Sequence, residues 1–288
     1  MRTKLLSWML LCGLAAFFAA TSSAQTGQVA GRIVAAKVKG TVTALNTSDN
    51  SKKELHDNDA ITEKYVVTTA QNSSVILVFS NGSTINLAQD STLSIEQFLQ
   101  DPFSTSYSMA TATSEPSTST TKLNLSRGEL VGNVKHLNTT GGSTFTVNTP
   151  VGAAGIRGTT FRIVFRPDSS GKAFFTLSTA EGEVILTGTT NQQVPVETGK
   201  EVVVTVEVNV AADGTVTVTS PPVVKGQDIP PATQAIIAAA AQEIITTHTD
   251  LVFTSATTST NASTGTTPGA SPDAQQQKDQ TTSGDGKG

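Results

Sequence analysis

Short runs in which hydrophobic and polar residues alternate recur along most of this chain. Ile85 and Leu87, and later Leu93 and Ile95, alternate with Thr, Asn and Ser, which is the two-residue period of strands that bury one face. Val75–Phe79 is apolar at every position, so we expect this strand to lie between two layers. Because turn signals separate these runs every several residues, the pattern predicts an all-β fold of stacked strands, either sandwich-like or short solenoid-like.

The alternation continues after residue 121. Lys122–Leu125 and Glu129–Val134 predict two strands around a turn at Arg127-Gly128. Further on, the four phenylalanines at positions 161, 165, 174 and 175 are assigned to the core, because only 5% of the residues in the chain are aromatic.

The last strand patterns form a predicted hairpin. Val residues share one face of Glu201–Val210, and Asp213-Gly214 turns the chain into Thr215–Thr219, in which Val again alternates with Thr. The acidic residues of the first strand, Glu201 among them, are expected on a solvent-facing side, where they discourage edge pairing.

One segment has a helical period. Ala232–Thr247 follows a proline and carries an apolar stripe of Ile236, Ile237, Ala240 and Ile244, so it is the predicted C-terminal helix. Packing against the sheet is favoured over binding a partner, since an apolar stripe normally meets its own core. The helix is too short and too rich in alanine to be a membrane span.

Composition divides the chain into a β domain over 25–220, a proline linker with the helix over 221–253, and a tail over 254–288. The tail is Thr, Ser, Gly, Gln, Pro and Asp with scarcely an apolar side chain, so it is predicted to be disordered. Within the β domain, the Ser/Thr-rich stretch 104–121 is predicted to be an exposed insertion that favours disorder.

The first 24 residues are typical of a Sec-type signal peptide. Arg2 and Lys4 precede an apolar run over Leu5–Ala20, and a small-residue site ends at Ala24, which predicts a periplasmic or secreted bacterial protein with no membrane span after cleavage. Cys12 is the one cysteine, and the expected cleavage would remove it, leaving no disulfide or thiolate metal site. The formal net charge of −4 becomes about −6 without those two cations, and the absence of a basic stripe argues against nucleic-acid binding.

The most constrained stretch is Thr144–Phe165, in which two strand patterns are joined by a link containing Pro150, Gly155, Arg157, Gly158 and Thr159. Proline and several glycines this close together predict a sharp corner. Arg157 has two interpretations. It is either a structural clasp, whose guanidinium donors hold backbone carbonyls or a carboxylate of the corner, or a binding residue for an anion or a partner's carboxylate; the clasp is favoured.

This stretch resembles the signature of the FecR domain, which runs Thr-Pro-x-Gly, then Val or Ile followed by Arg-Gly-Thr-x-Phe. Tyr65–Phe98 resembles the upstream part of that domain, and the resemblance covers about residues 33 to 166. It implies a periplasmic module like those of iron-dicitrate-type transmembrane signalling regulators. Unlike those regulators, this chain is expected to have neither the N-terminal cytoplasmic helical domain that holds a sigma factor nor the membrane helix that follows it.

No enzyme motif is present. The three histidines, His56, His136 and His248, are far apart in the sequence, and metal-protease, nucleophile-elbow, P-loop and dinucleotide fingerprints are all missing. We therefore expect no catalytic residues, no metal and no cofactor. The favoured function is a non-enzymatic module that binds a partner, expected to be a membrane or envelope protein, in envelope sensing or assembly. The alternatives are a structural or adhesive envelope protein and, less favoured, a hydrolase that depends on His56 or His136.

Overall fold

The computed structural model describes residues 27–189, 191–211, 215–219, 225–247 and 250–255, and within them the chain is mostly strand. The helical elements are α1 (Pro231–Thr247) and one 3-10 turn (Thr139–Gly141). The strands are β1 (Val29–Ala30), β2 (Ile33–Lys39), β3 (Val42–Asn46), β4 (Lys52–Glu54), β5 (Asp59–Ile61), β6 (Tyr65–Thr69), β7 (Ser74–Phe79), β8 (Thr84–Leu87), β9 (Ser91–Gln100), β10 (Tyr107–Ser108), β11 (Ser119–Asn133), β12 (Thr144–Thr149), β13 (Gly152–Ile156), β14 (Thr160–Pro167), β15 (Lys172–Glu181), β16 (Glu183–Gly188), β17 (Gln193–Glu197), β18 (Lys200–Val210), β19 (Val216–Val218), β20 (Lys225–Asp228) and β21 (Val252–Phe253).

Two large sheets share one strand, β11. The first sheet has the order β4-β3-β6-β9-β11-β12-β13-β16-β17, with β1 also paired to β9. The second has the order β5-β2-β7-β8-β11-β14-β15-β18-β20. Among the described strands the ladders branch at β11 and never close into a ring. The predicted all-β class with one C-terminal helix is confirmed, and of the two predicted arrangements the structure has the sandwich-like one.

The predicted turn at Arg127-Gly128 is wrong. β11 is one continuous strand whose first part pairs with β9 and β12 and whose last part pairs with β8 and β14. Gly128 has φ +104°, and a Cβ at this position would lie 2.4 Å from the Ser91 Cα. The glycine therefore lets the strand bend from one sheet into the other, a local kink like that of a β-bulge, instead of reversing it.

The main core lies between the two sheets. Phe79 packs edge-on against Phe98 with ring centroids 5.1 Å apart, and against Phe145 at 6.4 Å. Phe161, Phe165 and Phe175 are also fully buried, as predicted. The assignment of Phe174 to the core is wrong: this ring is 45% exposed, because it follows the opposite face of β15.

A second layer covers part of the outer face of the second sheet, and the prediction of two buried faces for Val75–Phe79 is thereby confirmed. The outward side chains of β7, Ile76 and Val78, pack with Met109 and Phe253, which come from the segments around the paired strands β10 and β21. The prediction of an exposed insertion over 104–121 is wrong, because Met109 is only 4% exposed and the stretch ends inside β11.

The C-terminal hairpin forms largely as predicted. β19 pairs with the end of β18, and Val202, Val204, Val206 and Val208 are buried; the predicted turn at 213–214 lies outside the described residues. The solvent-facing placement of Glu201 is wrong, since this residue is 3% exposed. Its carboxylate accepts hydrogen bonds from the Ser178 hydroxyl (2.9 Å) and the Gln227 amide (2.8 Å), which satisfy it inside the structure.

The helix packs against the outer face of the second sheet, as favoured from its pattern. Ile237 contacts Val131 and Ile229 in a small apolar cluster, and Ile244 is also buried, whereas Ile236 is 47% exposed. In the described part of the chain no helix is both long and apolar enough to cross a membrane. The predicted signal peptide, Pro221-Pro222 at the start of the linker, His248 and the tail after residue 255 lie outside the described residues.

Candidate functional site

The link within Thr144–Phe165 is a hairpin followed by a crossing between the sheets. Pro150 lies in the turn between β12 and β13, and β13 then runs from Gly152 to Ile156 between β12 and β16. The prediction of one sharp corner between two strands is therefore wrong, because a third strand lies inside the link. Gly155 belongs to this strand, and a Cβ there would meet nothing closer than 3.7 Å, so sterics do not require glycine at this position.

The change of sheet occurs at Arg157–Thr159, which joins β13 to β14. Gly158 has φ +64°, and a Cβ on it would lie 2.9 Å from the His136 Nδ1. A left-handed backbone is costly for residues with a side chain, so Gly158 is the glycine that the crossing requires.

The two threonines that follow are held inside the structure. The Thr159 carbonyl accepts the Val134 backbone N–H at 2.9 Å, and its buried hydroxyl has no hydrogen-bond partner in the described part of the chain. The Thr160 hydroxyl accepts from the Asn133 amide and donates to the Glu181 carboxylate, both at 3.0 Å. Backbone and side chains together fix the exit from the crossing.

Arg157 has the opposite character. Its side chain is exposed, and it makes no hydrogen bond or ion pair with any residue that the structure describes. The clasp interpretation requires donors pointing at carbonyls or a carboxylate, and the structure has no such contact. The structure thus brings Pro150, Gly155, Gly158 and Thr159 into one local segment but gives Arg157 no structural partner within it.

A depression of about 260 Å³ lies beside Arg157. Its lining includes the exposed residues Thr139 and Thr144 and the buried Ser143. The guanidinium supplies up to five N–H donors, and the threonine hydroxyls can donate or accept, so this rim can hold a carboxylate or another anion. We call this depression the Arg157 groove.

One carboxylate that is hydrogen-bonded to the lining of this groove already has its own donors. Glu115 accepts hydrogen bonds from the hydroxyls of Ser143 and Ser119 and from the Asn138 backbone N–H. Three donors to one carboxylate compensate most of its charge locally. Glu115 therefore supports the wall of the Arg157 groove and does not form an ion pair with the arginine.

The residues considered for hydrolysis are not assembled into a site. His56 is exposed, and its Nδ1 lies 3.8 Å from the Asp59 carboxylate. His136 is also exposed and lies much later in the sequence, after β11. Neither imidazole is hydrogen-bonded to a hydroxyl among the described residues, and the described residues contain no group of three or more His, Cys, Asp or Glu that could hold a metal.

Comparison with known proteins identifies the β domain. Residues 65–184 match the family model described as FecR protein. The chain carries a FecR domain. The match begins at β6 and ends at the start of β16, so it includes the whole crossing and extends beyond the residue 166 at which the sequence resemblance was placed. No curated protein is significantly similar to the chain.

Solved structures add a distant likeness. Two crystal structures of a candidate anti-sigma factor from Parabacteroides distasonis, at 1.65 and 2.50 Å resolution, are 12% identical to this chain, with a TM-score of 0.37 in each case. The likeness covers 59% of this chain and 64% and 63% of theirs, so this chain spans less than two thirds of those structures.

The structure places at a cavity one residue that the sequence analysis did not single out. Glu181 is exposed, and its carboxylate also accepts a hydrogen bond from the Thr160 hydroxyl and lines a second cavity under α1. The signal was weak, since the pairing of Thr160 with Glu181 joins residues on different strands.

Proposed function

We propose that this protein is a non-enzymatic FecR module that binds a protein partner in the cell envelope, in sensing or assembly, and that Arg157 contacts an acidic group of that partner. A FecR domain at residues 65–184 supports a regulatory or signalling role. The predicted signal peptide supports a periplasmic or secreted location.

One observation carries the role of Arg157. The crossing is fixed by Gly158, Thr159 and Thr160, whereas Arg157 has no partner among the described residues and borders a groove with hydroxyl groups. An arginine that is solvent-exposed and unpaired keeps its fork of donors available, and a carboxylate is its best geometric match. Arginine is also enriched at the energetic centres of protein interfaces.

The test is crosslinking of the full, tagged chain in its native envelope, followed by purification and identification of crosslinked proteins. Three versions are compared: wild type, Arg157→Ala and Arg127→Ala. Arg127 is a matched control, because it is also an exposed arginine with no partner in the described residues. Circular dichroism establishes that all three are folded.

The expected result is a discrete partner that Arg157→Ala loses and Arg127→Ala keeps. If Arg157→Ala still binds the partner, Arg157 does not contribute to the contact. No discrete partner for any version, together with binding to purified cell wall, would favour the structural or adhesive alternative.

A further inference from the structure

A cavity of about 480 Å³ lies between α1 and the outer face of the second sheet. The helix contributes Ile237, Ala238, Ala241 and Ile245, which lie along one side of it, and the sheet contributes Glu181 among others. This is within the size range of sites that accept a few large side chains or a small molecule. We call it the α1 groove.

The groove is open because the helix is fastened along its other side. Glu243 accepts hydrogen bonds from Lys37 on β2 (2.8 Å) and from Asn86 on β8 (3.2 Å). On the groove side the helix presents Ala238 and Ala241, whose short side chains do not reach the strands opposite. The tether on one side and the alanines on the other leave an apolar channel that the domain itself does not fill.

Apolar surface continues onto the rim. Ile245 is 53% exposed at the end of the groove, and a large aliphatic side chain with this exposure can be covered by a partner. Alanine and isoleucine side chains offer no hydrogen bonds, so the body of the occupant must be apolar.

The charge of the groove lining further restricts which chemical groups the groove can bind. Glu181 is the one charged residue in the described lining of the groove, and only its Oε2 has a hydrogen bond, from Thr160. The nearby cation Lys200 is paired to Asp228 at 2.6 Å, so it does not neutralise Glu181. The groove therefore favours a positive group beside the apolar one.

The chain's own tail does not fit this requirement. Apart from Pro268 and Pro272, residues 256–288 contain no apolar side chain larger than alanine, so this tail supplies no large aliphatic side chain to cover Ile237 and Ile245. A partner segment with larger aliphatic side chains fits the groove better than the tail does.

We propose that the α1 groove binds a segment of a partner protein in which large aliphatic residues stand next to a lysine or arginine. This proposal deepens the proposed function and rests on it. Thr160 lines the α1 groove, and Arg157, three residues earlier, lines the Arg157 groove, so the crossing has an acidic apolar site on one side and a basic polar site on the other. A partner that carries both an acidic group and a basic aliphatic segment could contact both.

The experiment measures binding of a labelled nonapeptide, made of leucine, isoleucine and serine with one central lysine, to the full chain by fluorescence anisotropy. A second peptide has glutamate in place of the lysine. The variants are Glu181→Gln and Ala241→Trp, and the matched controls are Glu183→Gln and Ala239→Trp, at exposed positions that do not line the groove. Arg157→Ala is measured alongside.

We expect the lysine peptide to bind more tightly than the glutamate peptide, and Ala241→Trp to abolish binding by filling the groove. Glu181→Gln keeps an acceptor for Thr160 but removes the charge, so it should weaken the lysine peptide by about two- to fivefold, the range of an exposed charge pair, and less at high salt. The two controls and Arg157→Ala should leave peptide binding unchanged.

The proposal is overturned if neither peptide binds at millimolar concentration, if both bind equally, or if Ala239→Trp weakens binding as much as Ala241→Trp. Failure of the proposed function is a separate result, because it is read from the envelope partner lost by Arg157→Ala. If an envelope partner depends on Arg157 but neither peptide binds, the binding role of the Arg157 groove stands and that of the α1 groove is refuted.

Discussion

Neighbouring residues of the crossing should respond oppositely to the same small substitution. Arg157→Ala removes a side chain that is exposed and has no partner in the described residues, so the free energy of unfolding should change by no more than about 0.5 kcal/mol. Gly158→Ala forces alanine into a backbone at φ +64° and puts its Cβ 2.9 Å from the His136 ring. The left-handed conformation alone costs about 1–2 kcal/mol.

These free energies predict separate shifts in melting temperature. A domain of this size shifts by about 2–4 °C for each kcal/mol. Gly158→Ala should therefore lower Tm by about 2–8 °C, whereas Arg157→Ala should stay within about 2 °C. His136 is exposed, so the ring can move aside and the strain is expected to come mainly from the backbone.

The assay is urea unfolding followed by circular dichroism, with calorimetry for Tm, on wild type and both variants. An equal slope against urea shows that the folded states bury the same surface. Loss of more than about 1 kcal/mol in Arg157→Ala, twice the usual effect of a surface substitution, would restore the clasp interpretation and refute the division of the crossing into structural and free residues.

Three further predictions concern other contacts. Glu129→Ala should lower the free energy of unfolding, measured by urea unfolding, by about 2 kcal/mol. The reason is that the Glu129 carboxylate accepts a hydrogen bond from the Nε of Arg162, whose side chain is only 12% exposed. A loss below about 0.5 kcal/mol, the usual effect of a surface substitution, would contradict this. Burial, and secondarily the charge of a nearby glutamate, raises the pKa of Tyr107 to about 12 from 10.0. The folded state therefore keeps a proton that the unfolded state releases, so this contribution to stability is complete below pH 10 and is lost as pH rises to about 12. Phenolate absorbance of the Tyr65→Phe variant, in which Tyr107 is the remaining tyrosine, checks the titration, and a midpoint near pH 10 would contradict the prediction. Glu243→Ala removes both tethers of α1 and should speed hydrogen exchange of the helix amides severalfold through about 1 kcal/mol of lost contacts, whereas Gln242→Ala, at an exposed position, should not.

The strands in which apolar and polar residues alternate clearly were predictable from the sequence. So was the presence of a second layer over the outer face of β7. Val75–Phe79 is apolar at every position, and only burial on both faces satisfies such a strand in water. The sequence could not show which segment supplies the second layer. Met109 and Phe253 do so from segments far apart in the chain, and Met109 lies in a stretch whose composition is typical of disorder.

Two strand errors share one cause, because glycine has more than one structural use. Residues 152–156, read Gly-Ala-Ala-Gly-Ile, have neither alternation nor β propensity, and they form β13 because β12 and β16 pair with both of their edges. Gly128 has the backbone freedom expected of a turn, yet it bends β11 between sheets. Local composition indicates where the backbone is special, but pairing partners decide whether it turns, bends or crosses.

The buried polar groups were beyond sequence reasoning for the same reason. Glu201 alternates with valines as a solvent-facing residue should, and its burial is tolerated because Ser178 and Gln227 from two other strands bond to both of its oxygens. A carboxylate can leave water when such donors are supplied. Those donors are distant in sequence, so the pattern along one strand cannot predict them.

The candidate site was predicted by its motif but not by its chemistry. The glycines and proline located the special backbone, and the clasp was favoured because an arginine in a tight corner normally has carbonyls within reach. β13 removes that reach by inserting a strand between the hairpin turn and the crossing. Gly158, Thr159 and Thr160 then hold the change of sheet by backbone conformation, burial and hydrogen bonding, and Arg157 is left without a structural task. A side chain that stability does not need, on a backbone that stability holds in place, is free to bind a partner without weakening the fold, and it loses its rotamer freedom only when the partner binds.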